Sequence, residues 1–181
     1  LLGRDAFDAL RRRGVLARVD FRTIAGDAAG FRTPRAAATD IARFRATTLL
    51  CRRLSGTGST MVFSGSVRHA VALALSLRHQ GVSAAWVSGA MSYRDRERTL
   101  KAFEAGALSV LVNKSLLATG YDCPAISNVV LTVPVRSAVL FEQMVGRASR
   151  GPRVGGNAKA TVWYFEDHIK WHGKPASYQR Y

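Results

Sequence analysis

Cysteine is nearly absent from this chain. Cys51 and Cys123 are its only two, far apart and without a partner at metal-ligand spacing, which excludes a disulfide framework or a zinc ribbon and leaves two buried thiols. His168 and His172 stand at i and i+4 but lack a third ligand nearby, so no metal site is expected. Long apolar runs are missing too: none approaches the roughly 20 residues that cross a bilayer. The opening "LLGRDAFDALRRRG" lacks the apolar middle of a signal peptide. A soluble, cytoplasmic protein is the expectation. Acidic residues are few, 12 against 27 basic ones, for a formal charge of +15. Arginine dominates the basic set with 22 of the 27, and its planar, always-charged fork suits phosphate, so a polyanionic partner is expected.

Two nucleotide loops are also missing. "SGTGSTM" has glycines without the lysine of G-x-x-x-x-G-K-[ST], and in "HGKPAS" the Gly173-Lys174 pair runs into proline, which has no hydroxyl for magnesium. Glu166 and Asp167 end an apolar run in "TVWYFEDH", and without a phosphate loop they read as solvated strand-end charges. Alone, the chain is not expected to hydrolyse ATP. No G-x-G-x-x-G follows the first apolar strand, which argues against a dinucleotide-dependent oxidoreductase.

From about residue 58 onward, short apolar runs alternate with helical patterns. "STMVFS", "SAAWVSG", "LSVLVN", "SNVVLTV" and "AKATVWYF" read as strands. Between them, "SVRHAVALALSLRHQG" reads as a helix capped by Ser66 and stopped by Gly81. "SYRDRERTLKAFEAG" is a second helix, with Ser92 and Asp95 in a capping-box arrangement and Leu100 and Phe103 on its buried face. His69 and His79 are assigned to a helix surface. This rhythm predicts an α/β fold with a mostly parallel sheet and helices on both faces. Ligands of such sheets bind at the carboxyl ends of the strands, where Ser64 to Ser66, Ser88 and Gly89, and Asn113 to Asp122 fall. Residues 1–55 read as a lead-in or inter-domain linker region containing a helix, the strand-like "VLARVDFRTI" and the helix "DIARFRATTLLCRRL"; 56–170 read as the main domain and 171–181 as a basic tail leading onward.

The segment "SAVLFEQMVGRASR" reads as a helix, and at about 100° per residue its Gln143, Arg147 and Arg150, at i, i+4 and i+7, fall on one stripe. Arginines on a solvated helix face are common. These follow, in order, a strand, a glycine-containing loop with the single acid Asp122, and another strand.

In that order the stretch from about Met61 to Arg153 resembles the second RecA-like domain of superfamily 2 helicases and translocases, most closely the branch with restriction-enzyme motor subunits and excision-repair helicases. "MVFSGSVRHA" is similar to motif IV, "RERTLKAFEAGALSVLVN" to the segment before motif V, "NKSLLATGYDCP" to motif V and "QMVGRASR" to motif VI. The resemblance implies that Arg147 and Arg150 reach the γ-phosphate of ATP with Mg2+, held mainly by an N-terminal RecA-like domain that this chain lacks, with Arg150 the arginine finger and Gln143 orienting in the same cleft. It implies that Gly120 lets backbone approach the nucleotide, and that Asp122 accepts from its ribose or holds the arginine helix in register. Ser64, Gly65, Ser66, Ser88, Gly89, Asn113, Ser115 and Thr119 would bind a phosphodiester backbone. Many DEAD-type helicases carry histidine where this chain has Gln143, so the match is to the glutamine-bearing branch; double-stranded DNA is the preferred track on the strength of that branch alone, with RNA as the alternative. The rival reading is a nucleic-acid-binding module that keeps the fold without taking part in catalysis.

Overall fold

Most strand positions in the middle of this chain are apolar, as in strands covered on both faces. In the computed structural model, which describes residues 4–25, 33–114, 116–118, 121, 123 and 126–168, they form a six-stranded parallel sheet. The strands are β1 (Arg18–Thr23), β2 (Ser59–Phe63), β3 (Ala84–Val87), β4 (Val110–Asn113), β5 (Ile126–Leu131) and β6 (Lys159–Tyr164), in the order β1-β6-β5-β2-β4-β3. The helices are α1 (Arg4–Arg12), α2 (Pro34–Thr39), α3 (Ile41–Leu54), α4 (Val67–His79), α5 (Tyr93–Glu104) and α6 (Ala138–Gly146). Every strand pairing is parallel, as the alternating pattern predicts.

Strand side chains alternate between two cores. Met61, Phe63, Leu111, Val129 and Leu131 point to one face, where α5 and α6 contribute Phe103, Phe141 and Met144. Val62, Val110, Val112 and Val130 point to the other, against Leu50 and Cys51 of α3 and Leu73 and Leu77 of α4. The helices begin where polar caps permit. Ser66 accepts from the His69 N–H at 3.0 Å, Ser92 from the Asp95 N–H at 3.1 Å and Asp40 from the Arg43 N–H at 2.6 Å. Gly81 and Gly106, at φ of 79° and 75°, supply the left-handed turns after α4 and α5.

Much of the stretch read as a lead-in is built into this architecture. Residues 18–23 are the sheet's edge strand, in register with β6 from Arg18↔Lys159 to Thr23↔Tyr164. α3 covers the second core. An edge strand is a template for unwanted pairing, and β1 is blunted by Arg18, Asp20 and Arg22, with Asp20 held by Lys159 at 2.8 Å.

Two expectations are overturned at the carboxyl end of the sheet. Asp167 is not a solvated charge: it is 2 % exposed and holds the equally buried Arg43, Nη2 to Oδ2 at 2.5 Å and Nη1 to Oδ1 at 3.4 Å. Arg43 also donates to the Thr132 carbonyl at 3.2 Å and lies 4.1 Å over the Phe165 ring. One guanidinium thereby ties α3 to the ends of β5 and β6. His69 is not on the surface either. It is 6 % exposed, 5.9 Å from the Phe44 ring, and neither ring nitrogen has a hydrogen-bond partner. The cause in both cases is α3, which lies over α4 and the strand ends and removes both side chains from water.

Removing one partner of a desolvated pair leaves an uncompensated charge, so Asp167→Ala should destabilise the chain by about 3–5 kcal/mol. Urea unfolding would check this, and the paired change Arg43→Met with Asp167→Leu should cost less. Burial first, and then the charge of Arg43, push the His69 imidazole down from 6.5 to about 4. The folded state therefore binds fewer protons than the unfolded one between these values: stability is full above pH 6.5 and declines as pH falls toward 4. His69→Phe should flatten that part of the stability–pH profile.

Candidate functional site

Because all strands are parallel, the loops after β2, β3, β4 and β5 gather at one end. Ser64, just past β2, and Asn113, the last residue of β4, are brought together there. The Ser64 hydroxyl donates to the Asn113 carbonyl at 3.0 Å and the Ser66 carbonyl at 3.1 Å. Asn113 donates from Nδ2 to the Val62 carbonyl at 3.2 Å, and its Oδ1 accepts from the Leu117 N–H at 3.2 Å. Both side chains are buried, at 4 % and 0 % exposure. Their work is to shape the loops. What faces outward is backbone: half-buried Gly65, and the N–H groups of Val67 and Arg68, which as the first residues of α4 have no acceptor within their helix.

Ser88 is buried as well, its carbonyl accepting from the Met91 N–H at 3.2 Å, while Gly89 beside it is exposed. Ser115, Thr119, Gly120 and Asp122 lie outside the described residues, as does the 171–181 tail. A cavity of about 860 Å³ opens beside the start of α4. Its walls include Gly65, Ser66, Arg35, Arg68, His69 and Lys114. The three cations were not singled out in the sequence, although Arg68 stands two residues beyond the Ser66 cap and Lys114 directly follows Asn113. With unbonded N–H groups at a helix start and fixed positive charge, the arrangement suits a phosphate.

The arginine segment differs from its expectation. Gln143 and Arg147 share one helical stripe, with Arg147 Nε 3.4 Å from the Gln143 carbonyl, but α6 ends at Gly146 and Arg150 is not on it. Arg147 is the C-cap, and the chain leaves the helix through the bonds Ala148 N–H to Val145 and Ser149 N–H to Gly146. Arg150 then enters an antiparallel bridge with Leu16.

The physical reason is competition from the N-terminal segment, which offers strand-like partners on both sides of Arg150. Ala17 N–H donates to Ser149 at 2.8 Å, Gly151 N–H to Val15 at 3.0 Å and Arg153 N–H to Gly14 at 2.9 Å. Gly151 makes the approach feasible, since a Cβ there would collide with the backbone of Gly14 and Val15. On the other flank Asn157 N–H donates to the Arg150 carbonyl at 3.0 Å, and Gly156 has no room for a Cβ against it. Arg147 reaches sideways: its Nη1 donates to the Tyr121 carbonyl, fastening the loop after β4 to the end of α6.

The candidate residues thus form two groups. α6 descends from the carboxyl end of β5 toward the amino ends, and Arg150 pairs two residues before β1 begins. Ser64 to Ser66 and Asn113 sit at the opposite end, a strand's length away, on the order of 15 Å for five residues. The Ser64–Asn113 cluster and the arginines therefore lie at opposite ends of the sheet.

Comparison with known proteins identifies the family and the fold. Residues 44–152 match the model of the helicase conserved C-terminal domain. Among curated proteins, the chain is 30 % identical over 118 residues to the ATP-dependent RNA helicase dbp3 of Aspergillus terreus, covering 65 % of this chain and 23 % of that protein. Among solved structures it is similar to S. cerevisiae Dbp5 bound to RNA and ADP BeF3, with TM-score 0.64, 19 % identity, and coverage of 92 % of this chain and 40 % of that one. It is also similar to the DUF1998 helicase MrfA bound to DNA, with TM-score 0.65, 15 % identity, and coverage of 88 % and 22 %. The chain therefore spans less than a quarter of the curated relative, and the structural likenesses establish the fold.

Gly151→Ala should force the 14–17 segment away from Arg150 and destabilise the chain by about 1–3 kcal/mol, the usual range for overpacking. Thermal unfolding measures the loss. Gly89→Ala, at an exposed site with nothing within 4 Å of a new Cβ, serves as the control and should leave the midpoint unchanged.

Proposed function

The chain belongs to the helicase conserved C-terminal domain family, and from that premise we propose that it is the C-terminal RecA-like half of an ATP-dependent helicase. The observation that supports this most is the continuity of the match. It runs without a break from α3 through the loops after β2 and β4 to both arginines and Pro152.

In this reading the partner is an N-terminal RecA-like domain of the same protein, which holds most of the ATP and Mg2+. The residues present here fit a complementary role: the chain has no phosphate loop, yet it braces the backbone of an arginine on both sides. Bound ATP supplies the phosphoryl group and the energy of closure. Arg150 acts as the arginine finger, a fixed cation at the point where negative charge accumulates during phosphoryl transfer. Arg147, already engaged with the Tyr121 carbonyl, couples the loop after β4 to the cleft. Gln143 orients within the same cleft, and Gly120 and Asp122 contact the nucleotide. At the other end of the sheet, the segments 64–66, 88–89 and 113–119 grip a phosphodiester backbone. Contacts there come from backbone N–H groups and from Arg68 and Lys114, because the Ser64 and Asn113 side chains are turned inward. Closure and release of the two lobes then shifts that grip along one strand.

RNA is the proposed track, since the curated relatives are named RNA helicases; this departs from the DNA favoured by the resemblance to restriction-type motors. In the protein that includes the N-terminal domain, Arg150→Ala should reduce RNA-stimulated ATP turnover by about 10³-fold or more, with affinity for single-stranded RNA unchanged. Turnover that survives the substitution would favour the rival, a non-catalytic binding module. Stimulation by DNA equal to that by RNA would remove the assignment of the track.

A further inference from the structure

Beside the cavity at the start of α4 lies a second one of about 530 Å³, and Arg35, Gly65 and Lys114 belong to both. The two spaces are halves of one groove with a cationic waist. Among the described residues, neither is lined by a carboxylate or a side-chain amide. Arg35 and Lys114 are exposed, and neither they nor Arg68 makes a side-chain hydrogen bond or ion pair among the described residues.

The second half of the groove is the more apolar of the two. Its walls are Phe63, Val133, Pro134, Val135, Leu140 and Met144, from the end of β2, the loop after β5 and the inner side of α6. Three of the polar groups at its rim are already employed: Ser64 donates to two carbonyls, Ser137 caps α6 at the Leu140 N–H (3.2 Å) and Thr33 caps α2 at the Ala36 N–H (3.2 Å). Arg136 completes the positive mouth.

We infer that this pocket takes one nucleobase, turned out of a single strand whose phosphate rests on the Arg35–Lys114 waist. This rests on the backbone-gripping reading and goes beyond it, since that reading needs no contact with a base. In a nucleotide the base and phosphate are separated by a single sugar, so an anion on the waist delivers its own base to the adjoining apolar space. The volume lies within the range of small-ligand pockets. The mouth selects a polyanion over an apolar side chain, because its charged groups are all of one sign. Without an amide or carboxylate in the walls, the pocket gains from desolvating the ring face but has little means of reading its edge. It therefore accepts any base, and every step along the strand presents an equivalent occupant.

The test is equilibrium binding of the 181-residue chain to a fluorescently labelled rA12 strand and to a 12-residue ribose-phosphate strand without bases. The base-bearing strand should bind about tenfold more tightly, the scale of one base stacked or buried. Leu140→Trp, which fills the pocket from its half-buried wall, should reduce rA12 affinity to that of the abasic strand and leave abasic binding unchanged. Val133→Phe, also half-buried, makes the same test should the tryptophan variant not fold by circular dichroism. Equal affinity of the unmodified chain for both strands would overturn the base pocket while leaving the backbone grip intact. Binding of neither strand would overturn both. A base preference that persists in the filled variants would place the base elsewhere and likewise overturn the assignment.

Discussion

The carboxyl end of the sheet depends on β2 being paired on both sides, by β4 and by β5. A parallel strand in that position cannot turn directly into a neighbour. The chain must cross a face of the sheet each time, and the exits from β2, β4 and β5 are forced to the same end. That is how Ser64, Asn113 and Thr132, scattered over seventy positions of sequence, become neighbours. Thr132 N–H and hydroxyl both reach the Phe63 carbonyl, at 3.1 and 3.0 Å, while Ser64 closes on Asn113 from the other side. The loops are rigid at their roots because the strand ends are bonded to one another.

Electrostatics follows from the same packing. Acids are few, and one of them, Asp167, is buried to neutralise Arg43 where α3 crosses the ends of β5 and β6. Asp20 is occupied with Arg18 and Lys159 at the far edge of the sheet. Among the described residues, no carboxylate lines the groove at the carboxyl ends, and Arg35, Arg68 and Lys114 remain there without a side-chain partner. A net charge of +15 becomes a directed field when its few counter-charges are placed away from one surface. The buried Arg43–Asp167 pair is better understood as a fastening of three elements than as a source of stability, since desolvation offsets much of its Coulombic gain.

The two ends of the sheet are joined by α6 and by the loop after β4. The loop starts beside Ser64 and passes Tyr121, whose carbonyl takes the guanidinium of Arg147. α6 starts in the wall of the apolar pocket, with Leu140 and Met144, and is capped at its far end by Arg147. The two elements are also packed together, since Phe141, Met144, Val145 and Ala148 share a core with Leu117, Ala118 and Tyr121. The 14–17 segment adds a third connection, running from Arg150 directly into the edge strand.

From the sequence alone came the parallel sheet, the strands of its central part, the caps Ser66 and Ser92, and the order of motifs that identifies the family. These rest on local periodicity and on the hydrogen bonds of a few neighbouring residues, which any short window of chain expresses. It could not show that Arg150 leaves the helix, because residues 14–17, more than a hundred positions earlier, supply the competing bonds. Nor could it show that His69 and Asp167 are buried or that the Ser64 and Asn113 side chains face inward: polar residues near strand ends look alike until a helix such as α3 is laid over them. Which polar groups meet water and which meet each other depends on long-range packing, and only the tertiary structure decided it.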